Sequence, residues 1–256
     1  MKARLLAFII LAVFGIIRLP IEANLESRQR ELHYHGAKLT LDTRQRLGQM
    51  GFVAALSGFR ALVADVLWME SHSAWERTEW GRMKVLFDTV TALQPRNVTF
   101  WDMSAYHMGW NASVAARNNE KEPREALRIK EEREYWKLAE DFYQRGIQNN
   151  PDRAFLFEGL ARLYEQKFQD HLKSSEMFDE ATKRPDSMAY THRMAAYELA
   201  KAPGKEKEAY ARLKALYDKG EDEHLPTLLR LLGELEEKLN VPAKDRTYSP
   251  SSQPPN

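Results

Sequence analysis

The chain has seven histidines and no cysteine, which narrows the chemistry open to it. Without a thiol it has no disulfide, thiolate metal site or cysteine nucleophile. Glu31, His33 and His35 carry metal-ligating atoms. On a helix only neighbours three or four positions apart share a face, so His33 and His35 point apart and read as a surface accident. His72, with Glu70 and Glu76 nearby, and His107, after Asp102, match no H-E-x-x-H spacing. No G-x-S-x-G elbow holds a serine nucleophile. Asn111-Ala112-Ser113 has the form of an N-glycosylation acceptor, which matters only in a glycosylating secretory pathway. The expectation is therefore a protein without metal, without cofactor and without catalytic residues.

The elements that could position a non-catalytic site are helices. Of 256 residues, 43% are hydrophobic and 29% charged, the balance of a globular protein rather than a disordered one. Lys and Arg (38) nearly cancel Asp and Glu (37), so no net field attracts nucleic acid, and no zinc-finger, RRM or Walker pattern is present. Glycine is scarce at 12. Leu, Ala, Glu, Arg and Lys dominate, the residues that lose least on entering a helix. The composition predicts an all-α fold.

Lys2 and Arg4 precede an unbroken apolar run from Leu5 to Ile17, closed by Arg18. A basic start before an apolar stretch directs export and keeps the N-terminus in the cytoplasm. Residues 1–21 are read as a signal anchor, with cleavage near Ala23 as the alternative; no A-x-A-like site is present. The placement that follows is the bacterial inner membrane, single-pass, with the main domain in the periplasm. Residues 22–50 form a polar helical stalk or first packing helix with Leu25, Leu32, Leu39 and Leu47 at heptad-like spacing. Phe52 to Trp75 is the most apolar internal stretch, but Arg60 and Asp65 would cost several kcal/mol at the centre of a membrane, so a buried soluble helix is expected. A helical domain spans 51–240. A disordered tail, 241–256, holds Pro242, Pro250, Pro254 and Pro255.

A period runs through the helical domain. Pro151 and Pro185 stand 34 residues apart, each after a helix-like segment. After Pro151 come Phe157, Leu160, Ala161 and Tyr164; before it, Ala139, Tyr143 and Gly146. Around Pro95, Phe87 and Val90 precede and Trp101 and Ala105 follow in the same frame, with Met83 and Met108 fitting less well. After Pro185, Met194, Ala195, Tyr197 and Leu213 are compatible but not diagnostic. Small residues let two helices approach closely while large ones fill the holes between neighbouring pairs. Between Pro95 and Pro151 lie 22 residues more than one period, a surplus assigned to an insertion at 112–134, with Pro123 opening a long helix to about Gln148. Such an insertion would project from the stack as a solvated charged helix or a binding device. Leu225 to Leu239 forms a last amphipathic helix that caps the stack.

A 34-residue period with these small, aromatic and proline positions resembles the tetratricopeptide (TPR) family over roughly residues 60–220. The segments Leu56-Ser57-Gly58-Phe59-Arg60, Val66-Leu67-Trp68, Leu93-Gln94-Pro95-Arg96 and Trp101 to Asn111 resemble, more narrowly, bacterial membrane-anchored TPR-like proteins of unassigned function. The resemblance implies antiparallel helical hairpins stacked as a short α-solenoid, an N-terminal membrane helix and a non-catalytic, protein-binding role. In that register the outward places on the first helix of each hairpin are Thr99, Asp102, Tyr106 and Trp110, then Phe155, Glu158, Arg162 and Glu165, with His192 in the weakest repeat. Aromatics beside charges suit a peptide segment of a protein partner, one belonging to a membrane or envelope complex. The alternative for the same residues is packing on neighbouring helices. Glu70-Ser71 resembles the catalytic pair of lytic transglycosylases, without the glycine-rich segment that should follow, and supports a rival envelope hydrolase. A secreted peptide-binding module is the third reading.

Overall fold

The computed structural model describes residues 58–247. The anchor, the stalk and the end of the tail lie outside the described residues. Among the described residues the fold is all-helical, without strands, and no helix is long and apolar enough to cross a membrane. The α-helices are α1 (Arg60–Glu76), α2 (Trp80–Leu93), α3 (Val98–Tyr106), α4 (Ser113–Arg117), α5 (Glu125–Asn149), α6 (Ala154–Leu163), α7 (His171–Thr182), α8 (Ala189–Lys201), α9 (Glu206–Tyr217) and α10 (Pro226–Lys238). A π-helical segment, His107–Ala112, joins α3 to α4, and a second, Tyr164–Phe168, extends α6.

Each helix packs on its neighbour in the chain, α3 and α4 both lying against α5. Contacts between α3 and α6, and between α8 and α10, tie alternate helices together. Four of the connections, α1 to α2, α6 to α7, α8 to α9 and α9 to α10, turn on a residue with positive φ: Thr78, Gln169, Gly204 and Gly220. Pro95, Pro151 and Pro185 mark α2 to α3, α5 to α6 and α7 to α8, where a residue without an amide hydrogen cannot continue a helix. The proline junctions are clasped by side chains. The Pro95 carbonyl accepts from Trp101 Nε1 at 2.8 Å and from Asn150 Nδ2 at 2.9 Å. Asp186, beside Pro185, accepts from Arg153 Nε and from the Ala154 amide, both at 2.8 Å, and so caps α6 from the following junction.

Glycine sets the closest approaches. A Cβ on Gly146 of α5 would stand 2.9 Å from Trp101 of α3, and one on Gly159 of α6 would run into the Tyr143 ring of α5. The small and aromatic positions read from the sequence meet across helices in this way. Phe87, Trp101, Met108, Phe142, Leu156 and Leu163 share the main core. Met83 and Met108, the poorer matches to the frame, are both fully buried: an unbranched thioether fills irregular gaps as well as an aromatic does. A second core joins α8, α9 and α10 through Leu199, Leu213, Leu228 and Leu232.

The surplus before Pro151 forms the long helix expected from Pro123 to about Gln148: α5 runs 25 residues, the π segment and α4 lengthen the helix beside it, Arg117 pairs with Glu125 at 2.9 Å, and no residue from 118 to 137 is buried. The structure departs from expectation at two places. Residues 241–247 are held against α10 by the Val241 amide on the Glu236 carbonyl at 2.9 Å and the Thr247 amide on Glu236 Oε1 at 2.6 Å, while Arg246 Nε donates to the Val241 carbonyl within the segment. The expected buried helix α1 is buried on one side only, through Ala64, Ser71 and Ala74.

Candidate protein-interaction surface

The residues expected on the outward face come from α3, α6, α8 and the two π segments. A π turn adds a residue to the ring of backbone bonds and re-aims the side chains it carries; such turns recur at functional sites. Here the first carries Trp110 and the second carries Glu165, Gln166 and Lys167. Tyr106 is exposed and stacks on Trp110 with ring centres 5.4 Å apart and planes 13° from parallel. Trp110 Nε1 donates to Gln166 Oε1 at 3.1 Å, and Lys167 Nζ lies 5.4 Å from the centre of its indole. Partial burial lowers the Lys167 ammonium from its ordinary value. The result is a stacked aromatic pair with a cation over the indole, Tyr106 exposed and Trp110 half-buried.

Beside the platform runs a polar chain that crosses four helices. Tyr143 Oη of α5 donates to Asp102 Oδ1 of α3 at 2.9 Å. Burial holds the Asp102 carboxyl above the usual carboxylate range, against the pull of the Tyr143 hydrogen bond and the nearby Arg162. Arg162 lies 3.8 Å from Glu158 one turn back on α6. Glu158 accepts from Thr191 Oγ1 at 2.7 Å and from Tyr190 Oη, both on α8. Burial, with the Asp102 charge close by, drives the Tyr143 phenol well above its ordinary value.

The structure therefore divides the expected contact residues. Thr99, Tyr106, Phe155 and His192 are exposed. Trp110, Arg162, Glu165 and Asp102 are half-buried. Glu158 is only 4% exposed: it serves as an internal tie between α6 and α8 instead of an open contact. Glu165 pairs with Lys201 of α8 at 3.3 Å. Sequence reasoning missed Tyr143, Gln166, Lys167, Tyr190, Thr191 and Lys201 as members of this region. Tyr190 and Thr191 follow Phe155–Glu158 by about one period, so the repeat frame could have found them; the π turns leave no signal in residue type.

The other candidate chemistry does not assemble. Glu70 pairs with Arg82 of α2, and the buried Ser71 hydroxyl donates to the Trp68 carbonyl of its own helix at 2.6 Å, so the two share no open site. His72 lies 3.5 Å from Glu76 on an exposed face. The Asn111 amide donates to His107 Nδ1 at 2.8 Å. Among the described residues no group of three or more His, Asp or Glu is placed to hold a metal ion. Glu31, His33 and His35 lie outside the described residues. No protein-family model matches the chain, and no curated protein matches it.

Proposed function

We propose that the chain is a membrane-anchored, TPR-like scaffold or assembly subunit that docks a protein partner on the exported side of a bacterial inner membrane. The observation that carries the reading is the exposed Tyr106 stacked on the half-buried Trp110, with Lys167 over the indole. Buried aromatics paired with cations dominate binding energy at protein interfaces, and a stacked pair fixed by Gln166 loses little freedom on binding. Phe155, 41% exposed, adds a second apolar contact on the following first helix. Support for the repeat reading comes from the succession of packed helix pairs, the prolines at their junctions and the small-against-large contacts of Gly146 with Trp101 and Gly159 with Tyr143. The anchor rests on the basic and apolar N-terminal residues.

The test is mild detergent extraction of native membranes, purification through a C-terminal tag and cross-linking mass spectrometry. One partner at fixed stoichiometry, cross-linked near Tyr106, Trp110 or Phe155, supports the reading. A monomer reproducibly free of partners, or a partner cross-linked only to other faces, overturns it.

A further inference from the structure

The pair formed by α1 and α2 meets the next helix pair through aromatic rings. Trp68 of α1 has its ring centre 4.9 Å from that of Phe100 of α3. Trp75, seven residues further along α1, lies 6.0 Å from His107, the first residue of the π segment. His107 is half-buried at this joint, 5.6 Å from the Phe87 ring of α2 and 6.0 Å from Tyr106. On the other side of Trp75, His72 stacks on the indole at 5.3 Å. The polar contact that holds the His107 ring comes from the Asn111 amide, which donates to Nδ1 at 2.8 Å. An imidazole that accepts at Nδ1 carries its proton on Nε2 and is neutral. A second proton would set an N–H against the amide donor.

We infer that this joint is a proton-sensitive latch: the neutral His107 ring holds α1 and α2 against the π segment, and protonation of His107 releases them. The surroundings give the cation no carboxylate partner among the described residues. From α1 it faces His72, a second basic group, whose Nε2 lies 3.5 Å from Glu76. From α2 it faces Phe87, and the adjacent Asp88 is turned to Lys84 at 2.7 Å and Arg145 at 3.0 Å. Its own helix brings Tyr106, and α5 meets the segment where Gly109 packs on Ala139. Burial, and after it the charge of His72, hold the His107 imidazole below its ordinary value. An unfolded imidazole titrates near about 6.5 and the folded one lower, so the stabilisation is complete above about 6.5 and is lost as pH falls through the interval. Tyr106 and Trp110 flank His107 on the same segment, so release loosens their stack as well. Acid opens the joint whether or not a partner occupies those rings.

The test is hydrogen–deuterium exchange of the full chain in detergent, read by mass spectrometry at about pH 7.5 and about pH 5, with labelling times scaled to the intrinsic rates. Peptides from 68–78 and 104–114 are expected to lose protection in acid, by up to about tenfold for each unit that the folded imidazole lies below about 6.5. Peptides from 226–238, in the distant α10, are expected to keep theirs. His107→Gln, neutral at both pH values, is expected to abolish the difference. Asn111→Asp sets a carboxylate against Nδ1, gives the protonated ring an acceptor, and is expected to abolish it too. Equal protection of the wild type at the two pH values, or an acid response retained in His107→Gln, overturns the latch. So does a loss of protection that reaches 226–238 equally, or protection that rises in acid because Trp75 and Phe87 stabilise the cation. If His107→Gln fails to fold, Asn111→Asp decides: an acid response retained overturns the latch, and a response lost supports it.

Discussion

Replacing Gly159 with alanine tests the close packing of α5 on α6. The new Cβ would stand 2.7 Å from Tyr143 Cζ and 2.9 Å from Oη, with Cε1 nearer still. Tyr143 cannot simply swing aside: it is 3% exposed and its hydroxyl is held by Asp102. Overpacking of this kind costs about 1–3 kcal/mol. Displacing the ring also weakens a hydrogen bond to a charged acceptor worth about 1.5–3 kcal/mol. Against these, alanine gains about 0.5–1 kcal/mol over glycine inside a helix. The net expectation is a loss of about 2 kcal/mol, or about 4–8 °C in Tm for a domain of this size. Gly81 of α2 supplies the internal control, because a Cβ there meets nothing within 4 Å. Gly81→Ala is expected to stabilise by about 0.5–1 kcal/mol, the helix gain alone. Urea and thermal unfolding of the full chain followed by circular dichroism measures both. If Gly159→Ala is as stabilising as Gly81→Ala, the helices do not approach as described and the small-residue account of this pair is wrong.

Further expectations concern the polar chain and the platform. Asp102→Asn keeps an acceptor for Tyr143 but cannot ionise. Because the folded carboxyl of Asp102 titrates above its ordinary range, the native state holds that proton more tightly than the unfolded chain, and the contribution of Asp102 to stability falls as pH rises through the interval between the two values. The wild type should therefore gain on Asp102→Asn as pH drops from about 7 to about 4, the carboxyl range being centred near 3.9 when unperturbed; parallel melting curves would exclude the burial described. Glu158→Ala strips Tyr190 and Thr191 of their acceptor and leaves Arg162 without its carboxylate, for a loss of about 2–4 kcal/mol in urea unfolding, whereas a surface glutamate would cost under about 0.5 kcal/mol. Asp186→Ala removes the cap on α6 and should cost about 1 kcal/mol by the same measurement. Trp110→Ala and Tyr106→Ala are expected each to weaken partner capture by about tenfold or more, with helical content unchanged; equal capture would remove the platform from the interface.

Much of the fold was legible because helix formation is local. The apolar spacing in residues 226–238 predicts an amphipathic closing helix to within a residue or two, and Pro95, Pro151 and Pro185 mark junctions between helices. Gly146, Ala139 and Tyr143 were identifiable as packing positions, since a period in sequence becomes a repeated contact in space. The candidate surface was only half legible. Tyr106 and Phe155 are open as the register implies, but Glu158 looks identical in sequence to a solvated glutamate. Its burial depends on Tyr190 and Thr191 arriving from α8, more than thirty residues later.

What the amino-acid sequence determined by itself is the set of elements: helices where apolar residues recur every three or four positions, breaks at proline, and an N-terminal apolar run flanked by Lys2, Arg4 and Arg18. Tertiary structure decided which charges face water, where Trp110 points, and that the residues before Pro151 lengthen a helix pair. The reason is one of range. Backbone hydrogen bonding and local periodicity act over a few residues, whereas burial of a carboxylate and the stacking of two rings depend on neighbours that only the assembled chain brings near.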